Sequence, residues 1–163
     1  MLVIGPKDPV QSIKKKILNI WKNKNLRKVN IFIEFQIERN RAKRTLQLHQ
    51  TLYTTKLLQH LEIENSNPTK IPFPANTILK KGPEKNQLTK DNIIVYQQIV
   101  GSAIYLANYT RPNISYCIGQ LARFISKPSK THYQFAKHIL RYFNKTKTIE
   151  ILYQNKIGEK SSL

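Results

Sequence analysis

Apolar residues recur along this chain at two different periods, and the switches between them divide it. Met1-Leu2-Val3-Ile4 is a short apolar run ending at Gly5, the pattern of a buried strand entering a turn. Asp8-Pro9 is a helix start, with Asp8 as the expected cap, Pro9 at the first helical position and Gln11 three residues after the cap. Val10, Ile13, Ile17 and Ile20 then share one face of a helix expected to run to about Trp21. From Lys28 the period becomes two. Val29, Ile31, Ile33, Phe35 and Ile37 alternate with Asn30, Phe32, Glu34, Gln36 and Glu38, which predicts one long strand. The polar residues Asn40 to Lys43 predict a turn, Thr45 to Leu48 a returning strand, and Tyr53, Leu57, Leu58 and Leu61 the inner face of a short helix.

Residues 63–91 carry Pro68, Pro72, Pro74, Gly82 and Pro83, which prevent a long regular element and predict a linker or extended strap. Three helices are expected beyond it. The first, from about Asn92 to Asn108, places Tyr96, Val100, Ala103 and Ala107 on a stripe widened by Ile99, Ile104 and Leu106. Gly101 inside that helix costs about 1 kcal/mol relative to Ala, so a close approach by another backbone is expected there. Thr110-Arg111-Pro112 breaks this helix and starts another, with Ile114, Cys117, Ile118, Leu121, Ala122 and Ile125 inward. After a second break at Ser126 to Ser129, the third helix turns Phe135, Ala136, Ile139, Leu140 and Phe143 inward and Lys130, Gln134, Lys137 and Arg141 outward. Ile149 to Tyr153 predicts a final strand before a polar tail.

The fold class is therefore α+β: an N-terminal strand, helix and β-hairpin over 1–62, a strap over 63–91, a mainly helical segment over 92–145, and a short strand and tail over 146–163. The three later helices are expected to bury one another and to form the best-ordered part.

Composition narrows the function. Lys and Arg number 28 against 9 acids, giving a formal charge of +19 that repels itself unless a polyanion or counterions offset it, so nucleic acid is the first partner to consider. The single Cys117 permits no internal disulfide, which fits a reducing, intracellular compartment better than a secreted one, and a buried free thiol is expected. The most apolar helix is interrupted by Gln97 and Gln98, so no membrane partner is expected. Lys14-Lys15-Lys16 reads as a solvated helix face, or else as a signal for nuclear import.

The acids exclude more than the bases propose. Asp8 and Asp91 are the only aspartates and the seven glutamates are scattered, so no carboxylate pair is placed to hold catalytic metals. His49, His60, His132 and His138 lack the spacing of a zinc site, five glycines form no phosphate loop, and Cys117 has no local base. No catalytic residue, metal or cofactor is expected. The stripe Lys130, Gln134, Lys137, Arg141, at spacings of four, three and four, draws a cationic line along one helix that could follow a phosphate backbone; the ordinary reading is a solvated face.

The order of several strings adds a resemblance. Tyr96, Ile99-Val100-Gly101-Ser102, Tyr105-Leu106-Ala107, Thr110-Arg111-Pro112 and Leu140-Arg141-Tyr142 resemble, in that order, the region after the polymerase palm in copia-type retrotransposon polyproteins. "FIEFQIERN" is similar to the family's primer-grip strand, "LHQTLYTTKLL" to the strand and helix after it, and "NPTKIP" to its proline-bearing strap. The resemblance covers Met1 to Tyr153. It implies the end of a palm, a primer grip and a helical thumb. It places the Tyr-x-Asp-Asp turn with its metal-binding aspartates, the fingers and most of the palm before Met1, and a ribonuclease H domain past Leu163. The expected function is that of a truncated, non-catalytic fragment of a reverse transcriptase that retains at most template–primer binding. The partner would be an RNA–DNA hybrid or DNA duplex, contacted by Lys130, Lys137 and Arg141 on phosphates and by Phe32 and Ile33 at the grip.

Departures from the family pattern leave two further readings open, a co-opted basic nucleic-acid-binding module and a translated relic without function. Asn25-Leu26-Arg27-Lys28 stands where the family has Asp-Leu-Gly-Glu, Glu34 where it has Gly, and Asn113 where it has Asp. Each of these changes is reachable by one G-to-A change in a codon, so part of the +19 charge is expected to record directional mutation. Glu34 sets a negative side chain where the family keeps bare backbone beside the primer's phosphates.

Overall fold

Alternation at period two produces a sheet, but with one more turn than the pattern predicts. The computed structural model describes residues 5, 7–21, 29–74, 77–83 and 86–154. The expected strand at 1–4, the departures at 25–28 and the tail at 155–163 lie outside the described residues. β1 (Ile31–Phe32) and β2 (Phe35–Asn40) pair antiparallel around a two-residue turn. The single strand expected across 29–38 is thus broken at Ile33 and Glu34, whose φ angles are 48° and 59°. The reversal transfers Phe32 to the face of Phe35 and leaves Ile31 on the opposite one, across from Gln36. Ile-Glu carries none of the Asn-Gly signature that such a turn favours, so the alternation reads straight through it.

β2 turns at Asn40 to Arg44, where the Asn40 Oδ1 accepts from the Lys43 amide at 3.0 Å, and returns as β3 (Thr45–His49). β4 (Glu150–Gln154), near the other end of the chain, pairs antiparallel with β3, so the sheet order is β1-β2-β3-β4. The register aligns Ile37, Leu48 and Ile151 on one face and Gln36, His49 and Glu150 on the other. On the polar face Gln47 donates to Glu150 at 2.8 Å, and the Gln36 Oε1 accepts from the Leu52 amide at 2.8 Å, capping the next helix.

That helix, α2 (Thr51–His60), and α3 (Lys90–Tyr109), α4 (Ser115–Ala122) and α5 (Lys130–Lys145) build the core. Tyr96, Ile99, Val100, Ala103, Leu106, Leu121, Ile139, Leu140 and Phe143 are buried in it, as their helical spacing predicts. Ile125 is a correction: α4 ends at Ala122, which carries Ile125 past the helix and leaves it 38% exposed. The strap is part of the core too, with Phe73 and Leu79 buried against the helices.

The close glycine contact lies elsewhere than expected. A Cβ on Gly101 would meet nothing within 4 Å, whereas one on Gly82 would stand 2.5 Å from the Ser129 Cβ. The backbone that needs to approach is the strap, crossing the start of α5, where Gln87 bridges to Ser129. His132 fastens the same junction. Its Nδ1 accepts from the Ser129 amide at 2.9 Å, its Nε2 lies 3.0 Å from the Lys80 carbonyl, and its ring stacks on Phe124 at 4.0 Å.

Arg111, 2% exposed, joins the α3–α4 corner to the end of α5. Its guanidinium donates to the Thr146 carbonyl at 3.0 Å and the Thr146 hydroxyl at 2.7 Å, and lies over the rings of Tyr142 and Phe143. No carboxylate among the described residues pairs with it; Asn113 occupies the neighbouring position, 3.4 Å from Nε. Burial lowers the guanidinium pKa from its ordinary value, opposed in part by Tyr142.

α1 (Lys7–Ile20) begins one residue before the expected cap, so Asp8 sits inside the first turn, where its charge still meets the helix dipole. Its apolar face stays open, with Ile20 74% and Trp21 64% exposed.

Candidate nucleic-acid interface

The outward face of α5 carries the expected cations, and the structure gives them unequal freedom. Lys130 and Gln134 are exposed. Lys137 is exposed with its Nζ 4.5 Å over the Tyr133 ring. Arg141 is half-buried, and its Nε donates to the Asn67 carbonyl at 2.6 Å, tying the helix to the strap. The Thr69 amide donates to the Arg141 carbonyl at 3.3 Å and the His138 Nε2 lies 3.1 Å from the Ile71 carbonyl, so the strap runs along α5.

Between them lies a groove of about 620 Å³ lined by Ile63, Ser66, Asn67, Gln134, Phe135, Lys137, His138 and Arg141. Its lining holds two permanent cations, a histidine and no acid. The Ser66 hydroxyl, buried and without a hydrogen-bond partner, is a further polar group there. Lys137 and Arg141 therefore meet at one groove. Lys130 lies at the start of the helix, about 16 Å along the axis from Arg141 at 1.5 Å per residue. That length matches about five phosphates of one strand at 3.4 Å each.

Phe32 and Ile33 stand on different elements from the stripe. Phe32 is half-buried, and Ile33 tops the β1–β2 turn at 62% exposure. The turn rests on α2 and α3. The Tyr105 hydroxyl donates to the Ile33 carbonyl at 2.6 Å, Glu34 lies 3.7 Å from the Lys56 Nζ, and Phe35 meets the Tyr109 ring edge-on at 5.1 Å. Tyr53, Tyr105 and Tyr109 form a row with centroids 5.0 Å apart. Burial, together with Tyr109, Tyr53 and Glu34 nearby, raises the Tyr105 pKa, which keeps its hydroxyl a donor. A groove of about 310 Å³ beside the turn is lined by Glu34, Tyr53, Lys56, Leu57, His60 and Ser102, and shares no residue with the groove at α5. The tyrosine row escaped the sequence reading because Tyr53 and Tyr105 are 52 residues apart and each reads as a helix-face residue.

Among the described residues no group of three or more His, Cys, Asp or Glu could hold a metal ion, and no helix is long and apolar enough to cross a membrane. Cys117 is buried, and burial raises its thiol pKa.

Sequence comparison adds what geometry cannot. The chain is 29% identical over 153 residues to the retrovirus-related Pol polyprotein from transposon TNT 1-94 of Nicotiana tabacum, covering 90% of this chain and 11% of that protein. It is 29% identical over 157 residues to the putative transposon Ty5-1 protein of Saccharomyces cerevisiae, covering 95% of this chain and 49% of that protein. It is 35% identical over 108 residues to the retrovirus-related Pol polyprotein from transposon RE1 of Arabidopsis thaliana, covering 65% of this chain and 7% of that protein. The chain spans half or less of the length of these relatives. No protein-family model matches it, and no solved structure matches it.

Proposed function

We infer that this chain, whose homologues are retrovirus-related Pol polyproteins of copia-type transposons, is a retrotransposon-derived fragment that binds template–primer without joining nucleotides. The observation that carries the reading is the α5–strap groove, where Lys137 and Arg141 stand over a lining free of acids in a chain of charge +19. Such a surface attracts phosphates independently of base sequence and loses affinity as salt displaces it. Lys130 and Lys137 would track one strand of an RNA–DNA hybrid or DNA duplex, and Arg141 would hold the groove open through Asn67. Phosphoryl transfer needs carboxylates that grip divalent cations, and two scattered aspartates do not supply them.

A salt titration with RNA–DNA hybrid and DNA duplex tests this reading. Affinity that falls steeply and linearly on logarithmic axes is expected. Absence of binding at low salt would overturn it, and primer extension by pure protein would overturn the non-catalytic part.

Two positions support a second reading, a copy in decline. Glu34 holds a φ of 59° and Asn113 leaves a buried arginine without a carboxylate, and at both the resemblance implies a better-suited residue, Gly and Asp. Coding DNA dominated by G-to-A differences from intact neighbouring copies is expected on this reading; changes spread evenly over all base substitutions would contradict it.

A further inference from the structure

The groove between α5 and the strap combines two chemistries. The half-buried Ile63 and Phe135 give it an apolar base, and the exposed Asn67 and Lys137 stand at its edge. A duplex tracked along its phosphates would leave that apolar base uncovered, because its own bases stay stacked inside the helix. An open aromatic ring beside cations is instead the arrangement that accepts an unpaired base, since every base has a π-face. The ring is fixed in place: the buried Phe73 packs against Phe135 with centroids 5.0 Å apart. The strap side of the groove is fixed as well. The Ser66 amide donates to the Ile63 carbonyl at 2.9 Å, the Asn144 Nδ2 to the Glu64 carbonyl at 2.8 Å, and the Arg141 Nε to the Asn67 carbonyl at 2.6 Å. The groove therefore exists before a ligand enters, which lowers the ordering cost of binding.

Three polar groups narrow the occupant further. The Ser66 hydroxyl lines the groove, buried and without a hydrogen-bond partner, a cost that the edge of a base would remove. Arg141 engages Asn67 through Nε, so its Nη groups and the Lys137 ammonium remain for the adjoining phosphates. The volume of about 620 Å³ lies within the range of about 300–1,000 Å³ of pockets that enclose a small organic group. We propose that the α5–strap groove receives one unpaired base of a bound nucleic acid, stacked on Phe135, with Ser66 at its hydrogen-bonding edge and Lys137 and Arg141 on its phosphates. The proposal rests on the nucleic-acid reading above: the cations of α5 supply affinity for any strand, and the groove adds a preference for a strand with a base out of the helix.

Fluorescence anisotropy with three probes of one sequence tests it: a blunt RNA–DNA hybrid, the same hybrid with a single bulged thymidine, and the bulged hybrid with that nucleotide made abasic. The protein is expected to bind the bulged probe about fivefold or more tightly than the other two, the effect of stacking one base on an aromatic ring. Phe135→Leu keeps the groove apolar but removes the ring, and should bring the ratio of bulged to abasic affinity close to one. Ser66→Ala removes an unsatisfied hydroxyl, so it should lower the same ratio about threefold while the urea midpoint stays or rises. Equal binding of bulged and abasic probes by the unmodified protein overturns the proposal and leaves the phosphate contacts of α5 standing. A ratio that survives Phe135→Leu overturns the stacking; where that variant fails to fold, a ratio that survives Ser66→Ala overturns the groove's role. No binding of any probe at low salt removes the nucleic-acid reading itself, and this proposal with it.

Discussion

The helices and the sheet of this molecule solve the same problem differently. α2, α3, α4 and α5 bury their apolar stripes in one another, and the strap closes the remaining side with Phe73 and Leu79. No residue of β1 to β4 belongs to that core. Ile37, Leu46, Leu48 and Ile151 line one face and are only half-buried, while the strands are joined by ladder hydrogen bonds and by polar contacts such as Gln47–Glu150. A helix with a broad apolar stripe specifies its neighbours through packing. A sheet can satisfy its backbone along its edges and still leave a face open, so the two regions should differ in what a deleted methylene costs.

The largest effect expected tests that contrast directly. Phe143→Ala should destabilise the protein by about 3–5 kcal/mol, the range for removing a fully buried aromatic side chain. Leu48→Ala on the half-buried sheet face should cost about 1 kcal/mol. Urea unfolding of both variants gives the ratio, and equal losses would mean that the sheet face is covered in solution.

A smaller effect concerns the helix side alone. Burial lowers the His132 pKa from its ordinary value of 6.5 by stripping water from the charged ring, opposed in part by the Lys80 carbonyl 3.0 Å from its Nε2. The unfolded chain then binds the proton more readily than the folded one, so stability is present above about pH 6.5 and falls as the pH drops below it. His132→Gln should flatten that slope. Melting temperatures between pH 5 and 8 check both the sign and the assignment.

Next comes the buried guanidinium. Asn113→Asp should stabilise the protein by about 1–2 kcal/mol, since a carboxylate there would accept from Arg111 and from the Tyr142 hydroxyl, which Asn113 now meets at 2.7 Å. An unchanged or lowered denaturation midpoint would show that Arg111 is already satisfied by Thr146. A last pair sharpens the placement of the strap. Gly101→Ala, in open space on α3, should stabilise by up to about 1 kcal/mol. Gly82→Ala, whose Cβ would collide with Ser129, should destabilise by about 1–3 kcal/mol.

These expectations also mark where the sequence was legible. Helical periodicity located α1 to α5 within a few residues, because Tyr96, Val100, Ala103, Leu121, Ile139 and Leu140 repeat at the spacing that burial requires. The hairpin of β2 and β3 was readable from alternation and a polar turn. The break at Ile33-Glu34 was not, because a strained turn carries no signature when its residues are the wrong ones for it. The β3–β4 ladder joins residues about a hundred positions apart, which no local pattern reports. The strap's burial of Phe73 and Leu79 was hidden by prolines that predict irregularity equally well for a solvated linker. At the candidate site, the α5 stripe was visible as spacing, whereas the engagement of Arg141 with Asn67 and of Tyr105 with Ile33 depends on the tertiary fold.

The central claim is that the outer face of α5 grips phosphates, and the most direct measurement is the salt slope of a variant that changes nothing else. Lys130 and Lys137 are exposed, so Lys130→Gln with Lys137→Gln should fold as the unmodified protein does. Each lost phosphate contact reduces the slope of log affinity against log salt by about one, so the double variant should lose about two. A slope equal to that of the unmodified protein, with affinity for the RNA–DNA hybrid retained, would contradict the account.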